Sequence, residues 1–387
     1  MKKNPANYFP LTITVSNRKK IIYTIILSLF IICLLSVKTS IGQQTFYTIK
    51  GKVVDKNTKA PLQGASVFAQ NTTFGVATDA EGNFSIKLPN GGYSLVVTFT
   101  GYETESVRVS NTSGENIDLS IEIGPKEKSL EEVSIAVSNE VKDGWEKYGV
   151  FFIQNFIGLT KSSGQTIIRN PEALHFYFSK KRNRLKVLST EPLTVENFSL
   201  GYTLKFAIDS FTYEYGTNTN LFVGYPLFEE MHGTPDQKET WAKNRAAAYK
   251  GSILQFMRSL YNRTLVEDGF ELQFIEKIGD KETSIPLSNL DTDLNYEKDD
   301  STNTVEFRPT KTTLAVIYNK VKPEQAYLDF NQVASKNLQV SMLLFTPEES
   351  INIESNGYYF DQTDIVTNGY LGFKKIGDML PYDYMPE

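Results

Sequence analysis

Ile49-Lys50-Gly51-Lys52-Val53-Val54-Asp55, Pro61-Leu62-Gln63-Gly64-Ala65-Ser66-Val67, Thr78-Asp79-Ala80-Glu81-Gly82-Asn83-Phe84 and Gly101-Tyr102 decide how the first third of this chain folds. Residues 50–55 and 65–70 carry β-branched and aromatic side chains at alternating positions, and 57–64 between them holds the Pro and Gly that end strands. Two strands joined by a long turn are therefore expected. Asp79 opens a tight turn and Gly82 sits where φ is positive, which predicts that 76–78 and 84–88 pair as a hairpin. A second turn at Pro89-Asn90-Gly91-Gly92 leads into 93–100, where Tyr93, Leu95, Val97 and Phe99 share one face and Val96 and Thr98 the other. Ile117, Leu119, Ile121 and Ile123 alternate as a last strand would. About seven short strands at this turn spacing predict a β-sandwich.

The positions Gly51, Asp55, Pro61, Gly64, Ala65, Asp79, Gly82, Phe84, Gly101 and Tyr102 make this stretch resemble the carboxypeptidase-like regulatory domain. The resemblance implies a small transthyretin-like (prealbumin-like) β-sandwich over 44–123, of the kind found beside metallocarboxypeptidase domains and at the front of many envelope proteins of Bacteroidetes-type bacteria. It implies structural roles for these residues and names no reaction.

Composition narrows the functional classes. A chain of 387 residues, at roughly 100 to 200 residues per domain, predicts two domains beyond any targeting segment. A formal charge of -5 offers no basic footprint for nucleic acid. The single cysteine, Cys33, lies in an N-terminal apolar run, which leaves the rest without a disulfide or a thiolate metal site. Residues 1–20 carry Lys2, Lys3, Arg18, Lys19 and Lys20 without an acid, and 21–37 is uncharged. This reads as a signal peptide over 1–42, cleaved after Ser40-Ile41-Gly42, or as an uncleaved membrane anchor. Either way residue 43 onward is expected to be exported, to the periplasm, the periplasmic face of the outer membrane or the cell surface. Membrane contact is expected only through that segment if it is uncleaved.

Gly124-Pro125-Lys126-Glu127-Lys128 breaks the strand pattern and predicts a linker over 124–142, followed by a larger domain over 143–387. Ser129-Leu130-Glu131-Glu132-Val133-Ser134-Ile135-Ala136-Val137 is similar to the stretch that follows the regulatory domain in TonB-dependent receptors, which implies an accessory role in such an uptake system; an extended linker or edge strand is the alternative. The remaining chain is too short for the receptor barrel itself. Trp145, Tyr148, Phe152, Phe156 and Leu159 recur at helical spacing and predict an amphipathic helix closed by Gly158 or Gly164. Antiparallel strands are expected at 174–178, 184–188, 203–208 and 211–215, with Pro192 and Gly201 as breakers, and later at 270–275, 312–318, 340–345 and 358–360. Between them, 236–262 predicts one long helix whose face carries Trp241, Arg245, Ala248, Ser252, Phe256 and Ser259, with Gly251 inside it. The expected fold class is mainly β with α+β: the sandwich, then a larger antiparallel-sheet α+β domain. Arg245-Ala246-Ala247-Ala248-Tyr249-Lys250-Gly251-Ser252 is similar to a pattern in uncharacterised envelope proteins of this build, a resemblance that implies no activity.

Catalytic patterns are sparse. A metallocarboxypeptidase needs a His-x-x-Glu pair and a distant second His, because zinc takes three protein ligands and keeps a position for water. His175 and His232 are the only histidines and neither precedes Glu at that spacing, so no zinc or other cofactor is expected. Nucleophile-elbow, phosphate-loop and dinucleotide fingerprints do not occur. His175 lies in the apolar run Leu174-His175-Phe176-Tyr177-Phe178 and reads as a strand histidine. Asp291, Asp293, Asn295 and Glu297 alternate like the early ligands of a calcium loop, but Tyr296 stands where Gly is needed and Thr302 where Glu is needed. The expected role is binding or structural support, with an envelope protein or a glycan as partner. A hydrolase or glycan-binding protein with its site in the second domain is the alternative.

Overall fold

A computed structural model describes residues 46–111, 116–126, 139–332, 337–360 and 364–386. The leader expected at 1–42 and the TonB-box-like stretch 129–137 lie outside the described residues. Among those described, no helix is long and apolar enough to cross a membrane.

Strands β1 (Phe46–Asp55), β2 (Ser66–Ala69), β3 (Gly75–Ala77), β4 (Asn83–Pro89), β5 (Gly92–Thr98), β6 (Glu105–Ser110) and β7 (Asn116–Ile123) divide into two sheets, ordered β4-β1-β7 and β3-β2-β5-β6. β1 runs antiparallel to β4 and parallel to β7. Tyr47, Ile49 and Val53 of β1 share a buried cluster with Ile86 and Leu88 of β4 and Leu95 and Val97 of β5. This is the expected sandwich, with one correction. The hairpin expected between 76–78 and 84–88 does not form, because β3 pairs with β2 and β4 pairs with β1. The Asp79 turn instead carries the chain from one sheet to the other. Each arm has its own competing partner: the Thr78 hydroxyl donates to Leu62 O and Thr78 N–H to Ala65 O, whereas Gly82 O accepts from Val53 N–H. Strand β5 also departs from simple alternation, since Val96 is as fully buried as Leu95 and Val97. The far face of its sheet is turned toward the second region, where Thr72 bridges Leu227.

The second region opens with helix α1 (Gly144–Phe156), ended by Gly158 at φ +107°. Trp145, Tyr148, Phe152 and Phe156 form the expected inward aromatic face, packing on Phe176, Phe178, Phe206 and Phe211. Those rings belong to an antiparallel six-stranded sheet of β8 (Thr166–Ile168), β9 (Leu174–Ser179), β10 (Arg184–Ser189), β11 (Leu193–Asn197), β12 (Tyr202–Glu214) and β13 (Thr219–Glu230). The strands expected at 203–208 and 211–215 are one strand, β12, which absorbs the interruption as a bulge between Ile208 and Ser210.

The single long helix expected over 236–262 is two. Helix α2 (Pro235–Tyr249) stops where Gly251 takes φ +67°, and Ser252 then caps helix α3 (Ile253–Asn262) by accepting from Gln255 N–H. Beyond it, β14 (Phe270–Ile278), β15 (Lys281–Pro286), β16 (Glu297–Asp299), β17 (Thr304–Phe307), β18 (Thr313–Tyr318), β19 (Gln339–Phe345), β20 (Ile351–Glu354) and β21 (Ile365–Asn368) form two sheets, ordered β15-β14-β18-β19-β21 and β16-β17-β20. The strand expected at 358–360 is replaced by β20, onto which Gly357 at φ +88° folds Tyr359 back as a lone bridge. One hydrophobic cluster gathers around Phe152 and Phe206, and a separate one around Phe256 and Phe307. The architecture as a whole is mainly β, with several antiparallel sheets.

Candidate functional site

The ten motif positions build scaffold. Asp55 accepts hydrogen bonds from Thr58 N–H at 2.7 Å, the Tyr102 hydroxyl at 2.7 Å and Asn57 N–H at 2.8 Å. Those bonds, led by that from Thr58, hold its carboxyl down at about 2. The first acid of the motif is thus tied to its last tyrosine. Gly51 pairs with Phe84, and a Cβ there would stand 2.7 Å from the Phe84 ring. Asp79 accepts from Glu81 and Asn83 N–H, closing the turn in which Gly82 has φ +76°. A Cβ on Gly82 would lie 2.5 Å from Val53 O and 3.1 Å from Pro61. Ala65 is fully buried beside Thr78. Gly64 and Gly101 have open space around them, so only their positive φ, +78° and +82°, asks for glycine.

The sandwich is fastened to the second region at two places. In the first, the turn after β2 is threaded between β13 and the C-terminal tail. Asn71 N–H donates to Pro226 O, Tyr382 N–H donates to Asn71 O, and Thr73 N–H and hydroxyl both donate to the Asp383 carboxylate. In the second, the Glu354 carboxylate, 1% exposed, accepts from Gly92 N–H and pairs with Arg108, whose guanidinium lies 3.7 Å from the Phe360 ring centroid. Arg258 fixes the tail from behind by donating to Asn356 O, Tyr382 O and Tyr384 O, each at 2.9 Å. The ends of the expected linker are also held: Lys126 N–H donates to Gly101 O and Val141 N–H to Phe176 O.

Helix α2 docks through one face onto the turn before β12. Thr234 and Gln237 form a capping box at its start. Trp241 lies over Gly201, where a Cβ would come within 2.1 Å of the indole, and its Nε1 donates to Phe198 O at 3.0 Å. One turn on, Arg245 donates through Nε to Leu200 O at 2.7 Å, through Nη2 to Gly201 O and through Nη1 to Glu230 at 2.7 Å, with its guanidinium 3.8 Å from the Tyr202 ring centroid. The Arg245–Ser252 pattern is therefore a fastening and a helix stop. Between α2, the end of β13, Thr73 and the tail lies a cleft of about 700 Å³, lined among others by Glu230, Glu239, Lys243, Arg245, Asp383 and Tyr384.

The other expected residues stay apart from this cleft. His175 on β9 is paired with Glu140 at 2.9 Å on the surface, and His232 is exposed. Neither histidine nor any motif residue lines this cleft or a smaller one of about 290 Å³ beside Arg308 and Lys311. The calcium-like alternation does not converge: Asp291 pairs with Arg263, Asp293 caps the Ser288 and Asn289 N–H groups, Asn295 donates to Arg308 O, and Glu297 is exposed. Leu294 and Tyr296 between them are core residues. Among the described residues no three His, Cys, Asp or Glu are grouped as a metal site. A polar cluster that the sequence did not signal lies beneath the tail. Asp378 accepts from the Thr160 hydroxyl at 2.7 Å, and burial pushes its carboxyl up to about 6 despite Lys374 nearby. Burial likewise lowers Lys374 and brings Lys375 down to about 8.

Residues 49–135 match the family model of the CarboxypepD_reg-like domain, so the sandwich is of the immunoglobulin- or prealbumin-like class. No curated protein matches the chain. Similar solved structures include a cohesin–X-dockerin complex from Acetivibrio cellulolyticus, 28% identical, covering 20% of this chain and 56% of that one at a TM-score of 0.18. A group B streptococcus pilus 2b backbone protein is 22% identical over 21% of this chain and 42% of its own, at 0.19. A DUF3823 family protein from Parabacteroides merdae is 11% identical over 49% of this chain and 83% of its own, also at 0.19. The match spans less than two thirds of the first two of these chains, and no chemistry follows from likenesses this partial.

Proposed function

We propose that the protein is an exported component of the bacterial cell envelope with a binding or structural accessory role, of the Bacteroidetes type in which a carboxypeptidase-like regulatory sandwich precedes a larger second region. The observation that carries this reading is the cleft at α2. Its walls come from the sandwich turn, the β13–α2 segment and the tail, and two of its charged side chains are already fixed, Asp383 by Thr73 and Arg245 by Leu200, Gly201 and Glu230. A surface with its polar groups already oriented suits recognition, since little ordering is left to occur on binding. The partner is an envelope protein or a glycan, met in the periplasm, at the outer membrane's periplasmic face or at the cell surface. The basic flank and apolar run within 1–42 support export. Fractionation of the native host with mass spectrometry of the recovered chain tests it. A chain beginning near Gln43 in the envelope fraction is expected; an intact Met1 on a soluble cytoplasmic protein overturns it.

A further inference from the structure

Four of the five charges that line the cleft are paired within it. Lys243 pairs with Glu239, Arg245 pairs with Glu230, and the Asp383 carboxylate, which has no cation partner among the described residues, accepts both the N–H and the hydroxyl of Thr73. We propose that the cleft takes a neutral, hydroxyl-rich ligand, a short run of sugar residues, in preference to an anionic one; this rests on the reading of the cleft as the binding site. An anionic ligand meets three carboxylates, Glu230, Glu239 and Asp383, against two cations that are each already paired. A hydroxyl displaces nothing. A carboxylate offers about four lone-pair positions and an ammonium three donors, so each paired group keeps capacity toward the cleft. Acceptors and donors stand side by side there, and a hydroxyl, which is both donor and acceptor, bridges them. Tyr384, whose ring centroid is 5.8 Å from that of Tyr249, adds apolar surface suited to the C–H face of a sugar ring. A volume of about 700 Å³ lies inside the range of about 300 to 1,000 Å³ usual for small-ligand sites.

Calorimetric titration of the full-length protein with maltohexaose, cellohexaose, xylohexaose and mannohexaose, against anionic oligogalacturonate and cationic chitosan oligomer, tests this. One neutral probe is expected to bind, with affinity changing less than about twofold between about 0.05 and 0.5 M salt. Glu239→Ala and Lys243→Ala should each weaken it about fivefold to tenfold, the loss of one to two hydrogen bonds. Both substitutions fall on the exposed face of α2, with side chains 68% and 73% exposed, so their melting should match the parent's. Binding of a charged probe alone, lost in the same variants, overturns the ligand class and leaves the cleft reading standing. Neutral binding untouched by either variant places the sugar elsewhere and overturns the proposal. No binding by any probe at millimolar concentration overturns it too, and leaves standing the export reading, which the native-host fractionation tests separately.

Discussion

The sandwich and the region behind it are held by bonds of different reach. In the sandwich the turns close on near neighbours, Asp55 to Asn57 and Thr58, Asp79 to Glu81 and Asn83, and the longer tie from Asp55 to Tyr102 spans 47 positions. In the second region the ties span the chain, Thr160 to Asp378 across 218 positions, Asn197 to Gly377 across 180 and Arg258 to Tyr382 across 124. A turn that supplies its own partners leaves a readable pattern. A carbonyl gripped by a distant arginine leaves none, because any of many residues could have offered that carbonyl.

The sharpest break in this comparison is where the two regions meet. Arg108→Ala leaves Glu354 buried without its cation, and such a loss costs about 4 kcal/mol; a urea melt of the whole protein should show it. A change within about 1 kcal/mol would mean that the two regions are coupled only by the turn at Thr73. The next effect lies within the second region. Arg245→Ala orphans the carbonyl of Leu200, takes one of two donors from that of Gly201, which keeps Met231 N–H, and removes the guanidinium from Tyr202, at about 3 kcal/mol by the same measurement. Retained stability there would remove the fastening role of the Arg245–Ser252 pattern. Within the sandwich, Gly82→Val should cost about 2 kcal/mol, since it combines φ +76° with a Cβ at 2.5 Å from Val53 O. An unchanged melt would say that this turn shifts freely and that local bonding does not rule the sandwich.

A further effect is one of pH. The Asp378 carboxyl is raised from 3.8 to about 6 in the folded protein, so its stabilising contribution is complete below about pH 4 and is lost as pH rises through about 6. Asp378→Asn should flatten the stability profile in that window, where one proton changes stability by at most about 1.4 kcal/mol per pH unit. Chemical melts at pH 4, 5, 6 and 7 with an unaltered slope would show that Asp378 does not set it.

The same contrast explains what could be read in advance. Six of the seven sandwich strands are visible as alternation bounded by Gly, Pro and Asn, β6 being the exception, yet the sheet that each joins is not, as the false hairpin at Asp79 shows. A turn signal fixes a reversal of direction and leaves the pairing to competition, here won by Val53 for Gly82 O and by Ala65 for Thr78. Strand β13 was missed because its middle, Phe222 to Tyr225, is half-buried on both faces and shows no period of two. Gly251 was seen, and its positive φ was not inferred, since glycine within a helical pattern does not announce its conformation. For the cleft, Trp241 and Arg245 were legible as one helical face. Their neighbours Thr73 and Asp383, separated by 310 positions, carry no shared pattern.

That separation has a consequence in time. Domains generally fold as units in the order in which they are synthesised, at about 5 to 20 residues per second. The sandwich, whose turns close on near neighbours, has its partners as soon as it is made. Asn71 and Thr73 do not, because Tyr382 and Asp383 have yet to be translated. For some tens of seconds the newborn module must stand with its joining turn exposed, and the cleft it will help to wall exists only once the tail has arrived to seal the joint.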